Sequence, residues 1–166
     1  MSNQNKDIFQ LGILTISDLG SIGKREDTSG EAISKIMREN GFEVRKRDIV
    51  PDEVDLISGK LIEWSDSGSI DILISTGGTG LGPRDVTPEA TEKVIDFDVP
   101  GIGEVMRLET LKFTPFAMLS RSGAGVRSGC LIINLPGSEK AVKETLQAVL
   151  PALGHALQML KGWRIH

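Results

Sequence analysis

The chain has 166 residues, of which 39% are hydrophobic and 25% charged, and this length and composition predict a globular protein with a buried core. The net charge of −4, together with five Phe, two Trp and no Tyr, argues against general nucleic-acid binding, which depends on basic surfaces and aromatic stacking platforms. An acidic protein that binds phosphate groups must bind them locally, through loops, a few basic side chains and a metal ion.

One domain is expected for residues 1–166, with a disordered polar segment at residues 1–7. Cys130 lies in an apolar run and is interpreted as a buried small hydrophobe. Because no second cysteine is available for a disulfide, a reducing, cytoplasmic location is expected. The chain shows no signal peptide and no long apolar span, so no membrane role is expected. His155 is interpreted as a helix-face residue and His166 as a frayed end, which leaves zinc chemistry and a Ser-His-Asp triad little support.

The first predicted strand runs from Ile8 to Ile16 and ends at the pair Ser17-Asp18. In open α/β sheets, ligands bind beyond the carboxyl ends of the strands, so this pair is a candidate for ligand binding. A turn pair whose side chains bond to the backbone explains the same residues equally well. Both interpretations stay open at this point.

Two helices and a second strand follow. Thr28, with Glu31 three residues later, predicts a capping box at the start of a helix that stops at Gly41, and Asp27 just before it is interpreted as structural. The second strand, residues 42–50, ends at Pro51-Asp52-Glu53, and the helix after it has one apolar side, formed by Val54, Ile57, Leu61 and Trp64. Asp52 taken alone is explained by capping this helix.

A glycine-rich loop follows the third predicted strand. The strand stops at Ser75-Thr76 and runs into Gly77-Gly78-Thr79-Gly80, then into Gly82-Pro83-Arg84-Asp85. Thr87 as the cap, Pro88 at the first helical position and Glu89 in the first turn predict a helix start. Strand, glycine loop and helix in this order present backbone N–H groups to a phosphate.

A sharp structural turn is the alternative for this loop, but a turn alone needs no cation, anion and hydroxyl together. The spacing fits neither the P-loop, since no Lys-Ser or Lys-Thr follows the glycines, nor the dinucleotide motif G-x-G-x-x-G, so dinucleotide redox chemistry has little support. Asp18, Asp52 and Asp85 each lie just past the carboxyl end of a predicted strand. This repetition favours a binding edge over three unrelated caps.

In the second half, a helix is predicted for residues 102–113, with Val105, Leu108 and Leu111 as its apolar side. Glu104 and Arg107 lie three residues apart on it, a spacing that an ordinary surface pair explains.

Two strands, at residues 125–126 and 131–135, are predicted around a turn at Ser128-Gly129. They lead to Pro136-Gly137-Ser138 and a helix capped by Ser138. With Lys140 in the first turn, this helix start is a second candidate phosphate site, although a capped helix without a ligand remains the alternative. Pro151 is predicted to kink or divide the helix.

The alternation of apolar strands and helices predicts a three-layer αβα sandwich with a mostly parallel central sheet. From Leu11 to about Leu160 the chain also resembles the molybdenum cofactor biosynthesis domain family, within it the molybdopterin adenylyltransferases of the MogA type. The segments that carry the resemblance are Ser17-Asp18, Asp27-Thr28-Ser29-Gly30, Pro51-Asp52-Glu53, TGGTGLGPRDVTPEAT at residues 76–91, Pro100-Gly101-Ile102-Gly103-Glu104, Met106-Arg107, Leu119-Ser120-Arg121 and Leu135-Pro136-Gly137-Ser138.

The resemblance implies a homotrimer that uses Mg²⁺ and transfers AMP from ATP to the terminal phosphate of molybdopterin, with release of pyrophosphate. It also implies that a molybdenum-insertion protein of the MoeA type receives the product. By position, the two catalytic aspartates of the family match Asp52 and Asp85, which also become the tentative Mg²⁺ ligands. The positions expected to bind substrate or nucleotide are Ser17, Asp18, Asp27, Gly77, Gly78, Thr79, Gly80, Arg84, Thr87, Glu104, Arg107, Ser120, Arg121, Pro136, Gly137, Ser138 and Lys140.

Among these, Arg84, Arg121 and Lys140 are candidates to offset the charge of anionic substrates. The chain departs from the family at Leu19, where many relatives have Arg, so that Lys24 or Arg25 is left to supply a charge beside Ser17-Asp18. Two other functions remain as alternatives. One is a carrier or scaffold that binds molybdopterin without catalysis, and the other is a regulatory nucleotide-binding domain.

Overall fold

Six strands form one sheet at the centre of the computed structural model, which describes residues 8–162. The strands are β1 (Gln10–Ile16), β2 (Glu43–Val50), β3 (Ile72–Thr76), β4 (Phe97–Asp98), β5 (Gly123–Arg127) and β6 (Cys130–Leu135), in the spatial order β2-β1-β3-β6-β5-β4. Neighbours among β2, β1, β3 and β6 pair in parallel, whereas β5 and β4 add an antiparallel edge. The expectations for residues 1–7 and for His166 lie outside the described residues.

The helices are α1 (Asp18–Ser21), α2 (Thr28–Glu39), α3 (Val54–Asp66), α4 (Thr87–Glu92), α5 (Pro100–Thr110) and α6 (Glu139–Leu160), with a 3₁₀ turn at Pro115–Leu119. They cover both faces of the sheet. One core joins α2, α5 and α6 to strand residues such as Ile13 and Ile74, and the other joins α3 and α4 to Leu14 and Leu73. Successive residues of a buried strand thus enter opposite cores, because side chains alternate along it. The predicted three-layer sandwich is confirmed.

Two predicted helix caps are wrong by one residue. Asp27, not Thr28, caps α2, and its Oδ1 accepts a hydrogen bond from the backbone N–H of Gly30 at 2.9 Å. Val86 occupies the N-cap position of α4, so that Thr87 is the first helical residue and Pro88 follows it. Thr87 instead donates its hydroxyl to the carbonyl of Gly77 at 2.8 Å, a contact across ten residues that local capping rules do not reveal.

The predicted apolar side of α5 does not face the core. Val105, Leu108 and Leu111 are 40%, 64% and 41% exposed, whereas Met106 and Thr110 are buried. The helix begins at Pro100 rather than at residue 102, and the residues buried on its inward side are Gly103, Met106 and Thr110. A Cβ on Gly103 would lie 2.9 Å from Ser122 O. A row of large apolar side chains therefore faces outward on this helix.

Pro151 does not divide the last helix, which runs unbroken from Glu139 to Leu160 with Pro151 inside it. Val149 before the proline and Leu153 and Leu157 after it are buried in the same core. Burial of each such side chain is worth about 1.5–3 kcal/mol, which together offsets the loss of one backbone hydrogen bond. Ser138 caps this helix as predicted, since its Oγ accepts from Ala141 N at 3.2 Å.

Cys130 is 1% exposed, and burial raises the pKa of its thiol to about 11. At pH 8 we expect a thiol reagent to label the native protein at least about 10²-fold more slowly than the urea-unfolded protein, because far less thiolate is present and the sulfur is covered. The labelling rates of folded and unfolded protein measure this. Equal rates would contradict the buried position.

His155 lies on the exposed side of α6. Within residues 8–162, no helix is long and apolar enough to cross a membrane.

Candidate active site

The carboxyl ends of β1, β2, β3 and β6 meet at one edge of the sheet, and a cleft of about 540 Å³ opens there. Parallel strands place their following loops side by side, which is why residues far apart in the sequence share this cleft. Ten of the predicted site residues line it: Ser17, Asp18, Asp27, Asp52, Gly77, Gly78, Arg84, Asp85, Gly137 and Ser138.

The glycine loop needs glycine at two positions for steric reasons. Gly77 and Gly78 have φ angles of +102° and +67°, which side chains strongly disfavour. A Cβ on Gly77 would overlap the carbonyl oxygen of Ile16, and one on Gly78 would overlap Thr87 Oγ1 and lie 3.2 Å from Asp52 Oδ1. The bare backbone therefore lets β1, β2 and the start of α4 close around the loop.

Replacing Gly77 by alanine is expected to lower the free energy of unfolding by about 2–4 kcal/mol, the sum of the positive-φ penalty and the displacement of Ile16. Gly129 is the matched control, because its φ is +76° but an added Cβ would meet nothing within 4 Å. Gly129→Ala should lose only about 1–2 kcal/mol. Urea unfolding of the two variants measures the difference, and equal losses would refute the close approach at Gly77.

Asp52 does not cap α3, because Glu53 holds the N-cap position and makes no side-chain capping bond. Asp52 exchanges hydrogen bonds with Asp18 instead. Asp18 N donates to Asp52 Oδ2 at 2.9 Å, and Asp52 N donates to Asp18 Oδ1 at 3.0 Å. Partial burial, and then the negative charges of Asp18 and Asp85, raise the pKa of Asp52 above its ordinary value.

Asp85 also lies beside the glycine loop. Its Oδ2 accepts a hydrogen bond from Gly82 N at 2.8 Å, and a Cβ on Gly80 would lie 2.9 Å from the same oxygen. Both aspartates therefore face the loop and line one cleft. No group of three or more His, Cys, Asp or Glu residues suited to a metal occurs in residues 8–162.

Arg84 ties three strand-end loops together. Its Nε and Nη2 donate to the two oxygens of Asp18 at 3.1 and 2.9 Å, and Nη2 also donates to Glu53 Oε1 at 2.9 Å. The arginine lowers the pKa of Asp18, whose carboxylate in turn raises the pKa of Arg84. The cation beside Ser17-Asp18 is thus Arg84, while Arg25 lines the cleft and Lys24 does not.

Hydroxyl groups hold the opposite wall of the cleft. Ser29 donates to Gly137 O at 2.7 Å, and Thr76 donates to Pro136 O at 2.6 Å. Thr15 donates to Asp27 Oδ2 at 2.9 Å, and the same oxygen accepts from Arg47 at 3.1 Å. These bonds fix the start of α2 and the loop before α6 against the sheet.

Nine predicted site residues do not line this cleft: Thr79, Gly80, Thr87, Glu104, Arg107, Ser120, Arg121, Pro136 and Lys140. Arg107 donates to the carbonyls of Ser120 and Ser122 at 3.3 and 2.7 Å rather than pairing with Glu104, and it borders a second pocket of about 210 Å³. Lys140 is 84% exposed, 4.0 Å from Glu144. Arg121 lies behind the glycine loop and holds its backbone.

Several cleft residues escaped the sequence prediction of the site. Thr15, Thr76 and Ser29 reach the cleft through strand and helix positions that look like ordinary core or helix residues. A hydroxyl at the last positions of a buried strand was the available signal for the two threonines, since such residues lie at the binding edge. For Ser29 the available signal was its place in Asp27-Thr28-Ser29-Gly30, one of the segments that carry the family resemblance.

This arrangement places the protein among the open α/β proteins whose ligand site lies at the carboxyl ends of parallel strands. A family model described as a probable molybdopterin binding domain matches residues 12–155. The chain belongs to this family.

Individual relatives agree with the family. The chain is 46% identical over 157 residues to a molybdopterin adenylyltransferase of Helicobacter pylori, covering 93% of this chain and 89% of the relative. It is 40% identical over 152 residues to the molybdopterin adenylyltransferase of Escherichia coli, covering 90% and 77%. The crystal structure of the molybdopterin biosynthesis enzyme MoaB from Thermus thermophilus superposes with a TM-score of 0.88 at 49% identity, over 95% of this chain and 100% of that one.

Proposed function

We propose that this protein is a molybdopterin adenylyltransferase, which transfers AMP from ATP to the terminal phosphate of molybdopterin and releases pyrophosphate. The observation that carries the proposal is the position of Asp52 and Asp85, which line one cleft and lie beside the same glycine loop, Asp52 near Gly78 and Asp85 near Gly80 and Gly82. Binding of anions alone does not call for two carboxylates. Membership of a molybdopterin-binding family points to the pterin as the second substrate.

The reaction needs positioning and charge neutralisation rather than a protein nucleophile, because the attacking oxygen belongs to the terminal phosphate of molybdopterin. This oxygen forms a bond to the α-phosphorus of ATP. The bond from that phosphorus to the oxygen that bridges to the β-phosphate breaks, and its electron pair leaves with pyrophosphate. In this scheme Gly77 and Gly78, which line the cleft, let phosphate oxygens approach the backbone of the loop. The absence of a histidine or cysteine from the cleft lining is no obstacle.

Asp52 and Asp85 are the residues that would hold Mg²⁺. Magnesium in nucleotide sites takes one or two carboxylates together with substrate phosphates, which matches a pair of aspartates. The negative charges of Asp18 and Asp85 lie near Asp52 and contribute to its raised pKa. A divalent cation bound there would lower the repulsion between these carboxylates. When bound, Mg²⁺ neutralises charge on the triphosphate and on the leaving pyrophosphate.

Self-association as a homotrimer is part of the proposal. Large apolar side chains are exposed together on α5 and on the segment that follows it: Val105, Leu108, Leu111, Phe113, Phe116, Met118 and Leu119. A monomer seldom leaves so many large apolar groups in water, so a second copy is a suitable cover for them. Light scattering on the eluting protein measures the assembly mass, and a monomer at all concentrations would count against the trimer.

The proposal extends to location and to the next step. A reducing, cytoplasmic compartment suits a chain whose single cysteine is buried and unpaired. The adenylylated pterin would pass to a molybdenum-insertion protein of the MoeA type.

The decisive experiment incubates the purified protein with molybdopterin, ATP and Mg²⁺. The expected products are pyrophosphate, scored enzymatically, and a pterin whose mass has increased by one AMP unit. Binding of molybdopterin with no pyrophosphate release would indicate a carrier of molybdopterin rather than an enzyme. Binding of ATP that is independent of the pterin, without transfer, would instead indicate a regulatory nucleotide-binding domain.

A further inference from the structure

The loop between β3 and α4 carries Asp85 near its end, and Gly80 and Asp85 lie close together, since a Cβ on Gly80 would lie 2.9 Å from Asp85 Oδ2. The segment from Gly80 to Asp85 is called the neck below. Inside the neck, Asp85 N donates to Gly82 O at 3.0 Å, and Gly82 N donates to Asp85 Oδ2 at 2.8 Å. These two bonds make a small closed turn. They do not attach the turn to the body of the protein.

Arg121 attaches it. The Nε of Arg121 donates to Gly80 O at 2.9 Å, and its Nη2 donates to Asp85 O at 2.7 Å, so one guanidinium joins both sides of the neck. Its backbone N–H also donates to Thr79 O at 2.8 Å, and Nη1 pairs with Glu89 in α4. A guanidinium suits this task because its donors form a rigid fork.

The segment that carries Arg121 is itself held in place. Arg107 of α5 donates to the carbonyls of Ser120 and Ser122, the residues on either side of Arg121. Ser122 is 2% exposed, and the chain runs directly from it into β5. Arg107 of α5 thus holds the segment that carries Arg121, and Arg121 in turn holds the backbone of Asp85.

We propose that Arg121 is a positioning residue that fixes the backbone of Asp85 at the cleft and does not contact the substrates. The inference rests on the proposed function and replaces the expectation that Arg121 offsets substrate charge. Its hydrogen bonds in the structure go to backbone carbonyls of the loop and to Glu89, and it does not line the cleft. Arg84, which lines the cleft as Arg25 does, remains a candidate to offset substrate charge.

The test compares Arg121→Ala and Arg121→Lys with the wild type in steady-state kinetics. A lysine ammonium reaches one carbonyl but does not bridge two in a fork, so both variants lose the clamp. For Arg121→Ala we expect kcat to fall about 10²-fold, since small displacements of catalytic groups have effects of this size, while KM for ATP and molybdopterin stays within about threefold. A rise in KM with unchanged kcat would mean direct substrate contact and would overturn the proposal, as would unchanged kinetics.

The matched control is Arg127→Ala. Arg127 is the last residue of β5, the strand that begins two residues after Arg121, and it likewise joins a carbonyl to a carboxylate, with bonds to Val94 O at 2.7 Å and to Asp66 at 3.0 and 2.8 Å. It pairs with Cys130 at the start of β6, the edge of the sheet away from the cleft. Arg127→Ala should leave kcat within about twofold of the wild type. An equal loss of kcat in both variants would show a general effect on stability and overturn the assignment.

Two further measurements separate positioning from other causes. In an Asp85→Ala background, adding Arg121→Ala should lower kcat no further, because the arginine acts through a group already removed. A second, multiplied loss would contradict this. Hydrogen exchange at the amides of Gly82 and Asp85 should be faster in Arg121→Lys than in the wild type, and unchanged exchange would overturn the proposal. This readout needs no catalysis, so absence of pyrophosphate release from the wild type would defeat the proposed function alone.

Discussion

Asp85→Ala is expected to lower the rate of AMP transfer by about 10²–10³-fold while leaving the fold and molybdopterin binding largely intact. The carboxylate lines the cleft on an exposed loop, so its removal opens no cavity in either core. Pyrophosphate release at saturating substrates measures the rate, and calorimetry with molybdopterin measures binding. An unfolded or non-binding variant would show that Asp85 is structural instead.

Asp85→Asn isolates charge from hydrogen bonding. The asparagine amide oxygen can still accept the hydrogen bond of Gly82 N, which Asp85 Oδ2 accepts at 2.8 Å. A loss in Asp85→Asn nearly as large as in Asp85→Ala would assign the effect to the missing charge. Asp55→Asn is the control, because Asp55 is 95% exposed and pairs with Lys93 at 3.6 Å outside the cleft. It should keep activity within about twofold of the wild type.

Asp52→Asn is expected to separate activity from stability. Burial, and then like charge, raise the pKa of Asp52 in the folded protein, so the folded state binds its proton more tightly than the unfolded chain does. The contribution of this group to stability is therefore full below the unfolded pKa and is lost as the pH rises through the folded pKa. At pH 7 the Asp52 carboxylate is charged, and burial and the neighbouring negative charges disfavour that charged form in the folded protein. Asp52→Asn removes this unfavourable charge, so its Tm should be equal to or above that of the wild type while turnover falls by about 10²-fold or more.

Magnesium provides the second readout for Asp52. If the pair of aspartates holds Mg²⁺, adding the ion should raise the Tm of the wild type, since a ligand of the native state stabilises it. The rise should be absent or much smaller in Asp52→Asn and should persist in Asp55→Asn. An equal rise in the wild type and Asp52→Asn would place the ion elsewhere and remove Asp52 from its ligands.

Two arginines hold the Asp85 loop from different sides. Arg84 reaches from the loop to Asp18 and Glu53, at the ends of β1 and β2. Arg121 reaches into the loop from the start of β5. From the sequence alone both arginines are predicted to offset substrate charge, because the sequence does not show which basic side chains already have partners in the fold. The contacts separate them: one lies at the cleft and the other lies behind it.

Errors in the prediction of elements have a common physical origin. Val105, Leu108 and Leu111 recur at helical spacing, yet they face outward, and Met106 lies in the core with polar Thr110 buried beside it. Periodicity identifies an apolar face but does not say whether the same chain or another copy covers it. Two helix caps are predicted one residue too late for a similar reason. Thr28 and Thr87 satisfy the local capping rules, but Asp27 and Val86 hold the N-cap positions, because contacts of neighbouring residues and of distant carbonyls set the start of each helix.

The sequence by itself determined the layered α/β architecture, the alternation of strands and helices, and the acidic residues that follow three strands, because these depend on local periodicity and turn chemistry. The tertiary structure decided which residues meet. Asp52 lies beside Gly78 rather than capping a helix, and Arg84 pairs with Asp18. Arg121 donates hydrogen bonds to the backbone carbonyls of Gly80 and Asp85. These contacts join residues that are 26 to 66 positions apart in the sequence. Their geometry follows from the order and register of the strands, which packing across the whole sheet fixes.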